Sequence, residues 1–140
     1  MSKLLERLSD PARSGVYRVN HEGDIRDALA GSGYDIAAVP LEVGKEAMLK
    51  AIAQALAFPQ WFGGNWDALE DCLADLSWRA GKGHVILFAQ APGGDDLGIL
   101  LDVLDSVGQF WRERGRPFFA VFIDPAGQLA LPTLYKEKTG

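Results

Sequence analysis

Cysteine, histidine, basic charge and long apolar runs are all scarce in this chain. A single thiol, Cys72, can form neither an internal disulfide nor a cysteine-based zinc site. The two histidines, His21 and His84, stand in unrelated segments without ligand spacing, so each reads as a surface or strand-end residue rather than a metal ligand or catalytic base. No stretch approaches the ~20 apolar residues needed to span a bilayer, and the opening MSKLLERLSDPARSG breaks its leucines with Lys3, Glu6 and Arg7. Lys and Arg number 14 against 19 Asp and Glu, a net charge of −5 that makes nucleic acid a poor partner. Hydrophobic residues, by contrast, make up 48% of the 140, enough for one domain with a core that needs no disulfide or metal staple. The expectation is a soluble protein of the cytoplasm with no cofactor, no metal and no membrane partner.

Along the chain, short apolar runs alternate with helical periodicity. Leu4, Leu5 and Leu8 mark a short helical piece stopped by Asp10-Pro11, Gly15 to Val19 reads as a strand, and Asp24 to Ala30 as one or two helical turns. Ile36 to Leu41 suits a buried strand with Pro40 at its end. Met48, Leu49, Ile52 and Leu56 then line one face of a helix from about Lys45 to Ala57. A second helix is expected from Asn65 to about Trp78, a strand over His84 to Ala89, a longer helix ending near Gly115, and a strand over Phe118 to Ile123. Apolar strands separated by helices argue for an α/β domain with a mainly parallel sheet.

The segment FPQWFGGNWDALEDCLADLSW, Phe58 to Trp78, carries the functional signal. At about 100° per residue, Trp66, Leu69, Cys72, Leu73 and Leu76 share one arc, and Asp67, Glu70, Asp71 and Asp75 share the other. Asn65 is a good N-cap, and Asp67 gains from the helix dipole, but Asp71 and Asp75 lie too far along to do so. Carboxylates four residues apart repel by about 0.2–0.5 kcal/mol per pair, and no basic residue within the helix relieves them. A solvated acidic face accounts for this pattern about as well as a binding face does. The upstream Trp61, Phe62, Gly63 and Gly64 tilt the balance, because they set large aromatics and a close-approach loop beside the acidic stripe. Of the two aromatics, Phe62 is the one expected to pack inward.

WFGGNWDALEDCL, Trp61 to Leu73, resembles the segment of the barstar family in which an aromatic pair, glycine and asparagine precede a D-A-L-x-D-C-L helix. The resemblance covers roughly Ile36 to Asp124. It implies a three-layer fold, a small mainly parallel three-stranded sheet packed by helices, formed by residues 36–140, with residues 1–35 an N-terminal extension that can add a strand. It also implies an intracellular inhibitor, monomeric when free, of a small secreted ribonuclease of the barnase type. Asp67 and Asp71 would be the inhibitory carboxylates, Trp61 an aromatic contact and Gly63 the loop glycine. Phe62, Gly64, Glu70 and Asp75 would complete the partner-binding surface, and Asn65 and Cys72 match as structural residues. Glu70 stands where the family prototype carries tryptophan, which adds negative charge and removes apolar contact. Carboxylates at i and i+4, about 5–6 Å apart, can take the phosphate positions of a ribonuclease site lined by cations, so that a helix mimics RNA.

Two other readings use the same residues. The stripe could serve an immunity or other binding module for a different cationic toxin or partner. A carboxylate or metal-dependent hydrolase is weaker, because no histidine, lysine or further oxygen ligand accompanies the aspartates. Cys72 shares the apolar face of its helix and lacks a neighbouring base, as a structural thiol does. Arg112, Arg114 and Arg116 most simply satisfy the C-terminus of the long helix.

Overall fold

Each of the first three strand runs is followed by a segment of helical period, which forces parallel pairing through crossovers. A computed structural model describes residues 3–40, 44–59, 63–89 and 95–135. It contains α1 (Lys3–Leu8), β1 (Gly15–Val19), α2 (Glu22–Leu29), β2 (Asp35–Val39) and α3 (Lys45–Ala55). After these come α4 (Trp66–Leu73), β3 (His84–Phe88), α5 (Asp95–Glu113) and β4 (Phe118–Ile123). The strands form one four-stranded, all-parallel sheet in the order β1-β4-β3-β2. The chain is thus the expected three-layer α/β fold, and the added strand of the N-terminal segment is β1, seated beside β4.

Alternation along each strand divides the core into two. Phe118, Ala120 and Phe122 of β4, with Ile86 and Phe88 of β3 and Ala37 and Val39 of β2, face the layer made by α3, α4 and α5. Phe119 and Val121, with Val85 and Leu87, face the layer of α1, α2 and the segment around Leu134. Both faces of β3 and β4 are buried, which explains why those runs read as continuously apolar.

Helix α5 crosses the start of β1 so closely that a Cβ built on Gly108 would lie 2.9 Å from the Gly15 Cα. Ser14 completes this corner, its hydroxyl accepting from the Phe118 amide at 2.9 Å and donating to the Arg116 carbonyl at 3.1 Å. No helix among the described residues is long and apolar enough to cross a membrane.

Candidate functional site

The acidic segment begins with a cap. The Asn65 side-chain oxygen accepts the Ala68 amide at 2.7 Å, which satisfies a free donor of the first turn of α4 and fixes where the helix starts. Just before it, Gly64 has φ +70, a left-handed conformation that favours glycine, and a Cβ there would meet nothing, so the constraint is backbone rather than space. Gly63 and Gly64 are exposed. Trp61 and Phe62 lie outside the described residues.

From Trp66 to Leu73 the two arcs separate as the spacing predicts. Leu69, Cys72 and Leu73 are fully buried, whereas Asp67, Glu70 and Asp71 are exposed on the opposite side. Trp66 is half-buried against the core, and the Lys45 ammonium at the start of α3 lies 5.9 Å from its ring centroid. Burial pushes the Cys72 thiol up to about 11, with Asp71 and Asp75 adding to the rise, so it stays protonated and unreactive at neutral pH.

The helix is shorter than its apolar period suggests. It ends at Leu73 rather than near Trp78, and Asp75 sits in the following turn, where its Oδ1 accepts the Ser77 amide at 3.3 Å. The cause is Leu76, whose backbone turns left-handed at φ +52. The side chain is only 1% exposed, and burying a leucine, at about 1.5–3 kcal/mol, offsets the roughly 1–2 kcal/mol of backbone strain. Asp75 is exposed but does not continue the Asp67–Asp71 row along a helix face.

Among the described residues, no cation lies within ion-pairing distance of Asp67, Glu70, Asp71 or Asp75. Nor does any group of three or more His, Cys, Asp or Glu among them have the spacing to hold a metal ion. A groove of 490 Å³ runs between β2 and α3, lined by residues such as Ala38, Lys50 and Gln54, and none of the α4 carboxylates belongs to it. The acidic surface is the convex side of a helix.

A second charged group, not anticipated from the sequence, lies beyond the far end of α4. Arg79 Nε and Nη2 bind the Asp35 carboxylate at 2.6 and 2.7 Å, and His84 Nδ1 is 2.9 Å from Asp35 Oδ2. Burial alone would raise the Asp35 carboxyl, but the hydrogen bonds from Arg79 and His84 outweigh it and hold the group below its ordinary value. His84 is 2% exposed, and burial lowers its basicity, opposed by Asp35 and reinforced by Arg116 and Arg79. It opens a strand as expected, but as a buried partner of Asp35 and not a surface residue. Asp35 and His84 are register partners at the starts of β2 and β3, a proximity readable only once the parallel register is known. Arg112, Arg114 and Arg116 donate to the Ser14, Phe110 and Gly81 carbonyls.

The fold and the site together define a small three-layer α/β protein whose conspicuous chemistry is a carboxylate row, without an ion-pair partner among the described residues, on a short capped helix. The chain belongs to the barstar family: the family model described as Barstar (barnase inhibitor) matches residues 43–123, more than half of its length. That match runs from just before α3 to the end of β4 and so contains all of α4. No curated protein matches the chain.

Proposed function

We propose that this protein inhibits a small, basic, secreted ribonuclease of the barnase type by laying the exposed face of α4 over the enzyme's phosphate-binding site. The observation that carries this reading is the exposed row Asp67, Glu70 and Asp71, without cationic partners among the described residues, on a helix fixed at its start by Asn65. Such carboxylates are open to an incoming cationic surface, and the loss of their mutual repulsion on pairing favours association. Asp67 and Asp71 occupy phosphate positions, Glu70 and Asp75 extend the field that steers encounter, and Trp61, Phe62, Gly63 and Gly64 supply further contacts to the partner. The protein acts as a monomer in the cytoplasm, binding stoichiometrically rather than catalysing a reaction.

The test is a calorimetric titration into a catalytically inactive barnase-type ribonuclease, with Asp71→Ala beside wild type at two salt concentrations. Tight, salt-weakened binding that the substitution removes supports active-site occlusion. Absence of heat with wild type moves the partner to another class of cationic protein.

A further inference from the structure

Helix α4 must be held still from behind if its outward face is to meet a partner in one orientation. Its start is fixed by Asn65, but the segment from Ala74 to Lys82 that leads away from it has no regular structure. Beside the Arg116 and Lys82 hydrogen bonds to the Gly81 and Gly33 carbonyls at the far end of that segment, three contacts lie closest to the end of the helix. Trp111 of α5 donates its indole N–H to the Leu73 carbonyl at 2.9 Å, and Trp78 donates to the Leu56 carbonyl of the α3 terminus at 2.9 Å. The third is the paired Arg79–Asp35 bridge, and it is the only one of the three that carries charge. The Arg79 amide also donates to the Leu76 carbonyl at 3.0 Å, linking the bridge directly to the left-handed turn that ends the helix.

We propose that Asp35, Arg79 and His84 form a clamp of positioning residues that holds the C-terminal end of α4 on the sheet, and that protonation of His84 loosens it. With Asp35 ionised, the short contact to His84 requires the ring proton on Nδ1, so the neutral imidazole carries no proton on Nε2. A second proton creates a buried cation. The groups facing it are Asp35 from β2, Arg79 from the segment after α4, Arg116 from the turn before β4, and the Trp111 ring of α5 at 6.0 Å. One carboxylate cannot neutralise an imidazolium and a guanidinium together where the imidazole is almost fully enclosed. Arg79 is the member with a way out, because its side chain is 20% exposed against 3% for His84. Its release into water frees the turn at Leu76 and the last residues of α4, while the Asn65 cap and the sheet stay in place.

The consequence for binding rests on the proposed role of α4, but the clamp itself is tested on the free chain. Amide hydrogen exchange is followed residue by residue from pH 7.5 to 4.5 for wild type, Arg79→Gln, Arg79→Lys and His84→Asn, with rates corrected for intrinsic pH dependence. Asparagine places an amide N–H where His84 Nδ1 stands and does not titrate. At pH 7.5, Arg79→Gln is expected to speed exchange at Ala74, Asp75, Leu76 and Arg79 itself or its replacement by ~10-fold relative to Ile86 and Ala120 in the sheet. Arg79→Lys, which keeps charge without the paired geometry, should fall between. Wild type should show the same local rise on acidification, and His84→Asn should not. Parallel acceleration of the sheet and the α4 end, or an unchanged pH response in His84→Asn, overturns the proposal. Titration of the same variants into the inactive ribonuclease then asks whether the loosened end weakens binding. A chain that binds no ribonuclease still yields the exchange result, so the two ideas fail separately.

Discussion

Trp111 reaches across from α5 to donate its indole N–H to the carbonyl of Leu73, the last residue of α4, over 2.9 Å in a buried setting. The ring is 6% exposed, so the donor has no water to fall back on, and the carbonyl it serves is one the helix cannot satisfy itself. Trp111→Phe should therefore cost about 1–3 kcal/mol of stability, the sum of an orphaned acceptor and a small void. Urea denaturation measures it, and a loss below ~0.5 kcal/mol would mean that the bond contributes little.

Asp71→Ala should weaken ribonuclease binding by about 2 kcal/mol or more, as expected of a charge buried against a cationic site, with Asp75→Ala costing less than about 1 kcal/mol. Both side chains are exposed in the free protein, so unfolding midpoints should hardly move. Equal binding by the two variants would contradict the assignment of Asp71.

Asn65→Ala removes the side-chain acceptor for the Ala68 amide and should destabilise the protein by about 1 kcal/mol, whereas Asn65→Asp should retain the cap. Circular dichroism during denaturant titration distinguishes the two substitutions.

Stability should decline with acid in two windows. His84 is held below its ordinary 6.5 chiefly by burial, so the unfolded chain binds its proton first and stability falls as the pH drops from 6.5 toward the native value. Asp35, net below its ordinary 3.8, contributes stability that is present above that pH and lost as the pH falls through the native value. His84→Asn should flatten the upper window in a series of denaturant titrations and leave the lower one. An unchanged upper slope would assign it to another group.

Gly108→Ala puts a methyl group 2.9 Å from the Gly15 Cα, a backbone atom that cannot swing aside, and should cost about 1–3 kcal/mol. Gly98→Ala on the same helix meets nothing within 4 Å and is the control, expected to be neutral or slightly stabilising.

The layers were legible in the sequence because apolar spacing reports burial directly. FFAVFI marks β4 to the residue, and Asn65 marks the start of α4 through a hydrogen bond that needs only local chain. The end of α4 was not legible, since Leu76 adopts a conformation usually reserved for glycine, and only tertiary burial of its side chain permits it. That is why Asp75 reads as a helical carboxylate and sits in a turn. Asp35, Arg79 and His84 were hidden for another reason. Their partnership depends on the parallel register of β2 and β3 and on a contact 44 residues long in sequence, and neither leaves a periodic trace.

Strand β1 is the first of the four strands to be made, and the strand it pairs with among the described residues is β4, its outer edge adding a single bridge from Arg18 to Thr133, so Gly15 waits for Phe119 and Val19 for Ile123. A chain still on the ribosome can assemble β2 and β3 with α3 and α4, but β1 has no neighbouring strand until β4 has emerged. Synthesis thus leaves an apolar edge strand unpaired while β2, α3, α4, β3 and α5 are all being made. The closing step of folding joins the oldest and youngest parts of the sheet, and any truncation that removes β4 strands the N-terminal segment as well.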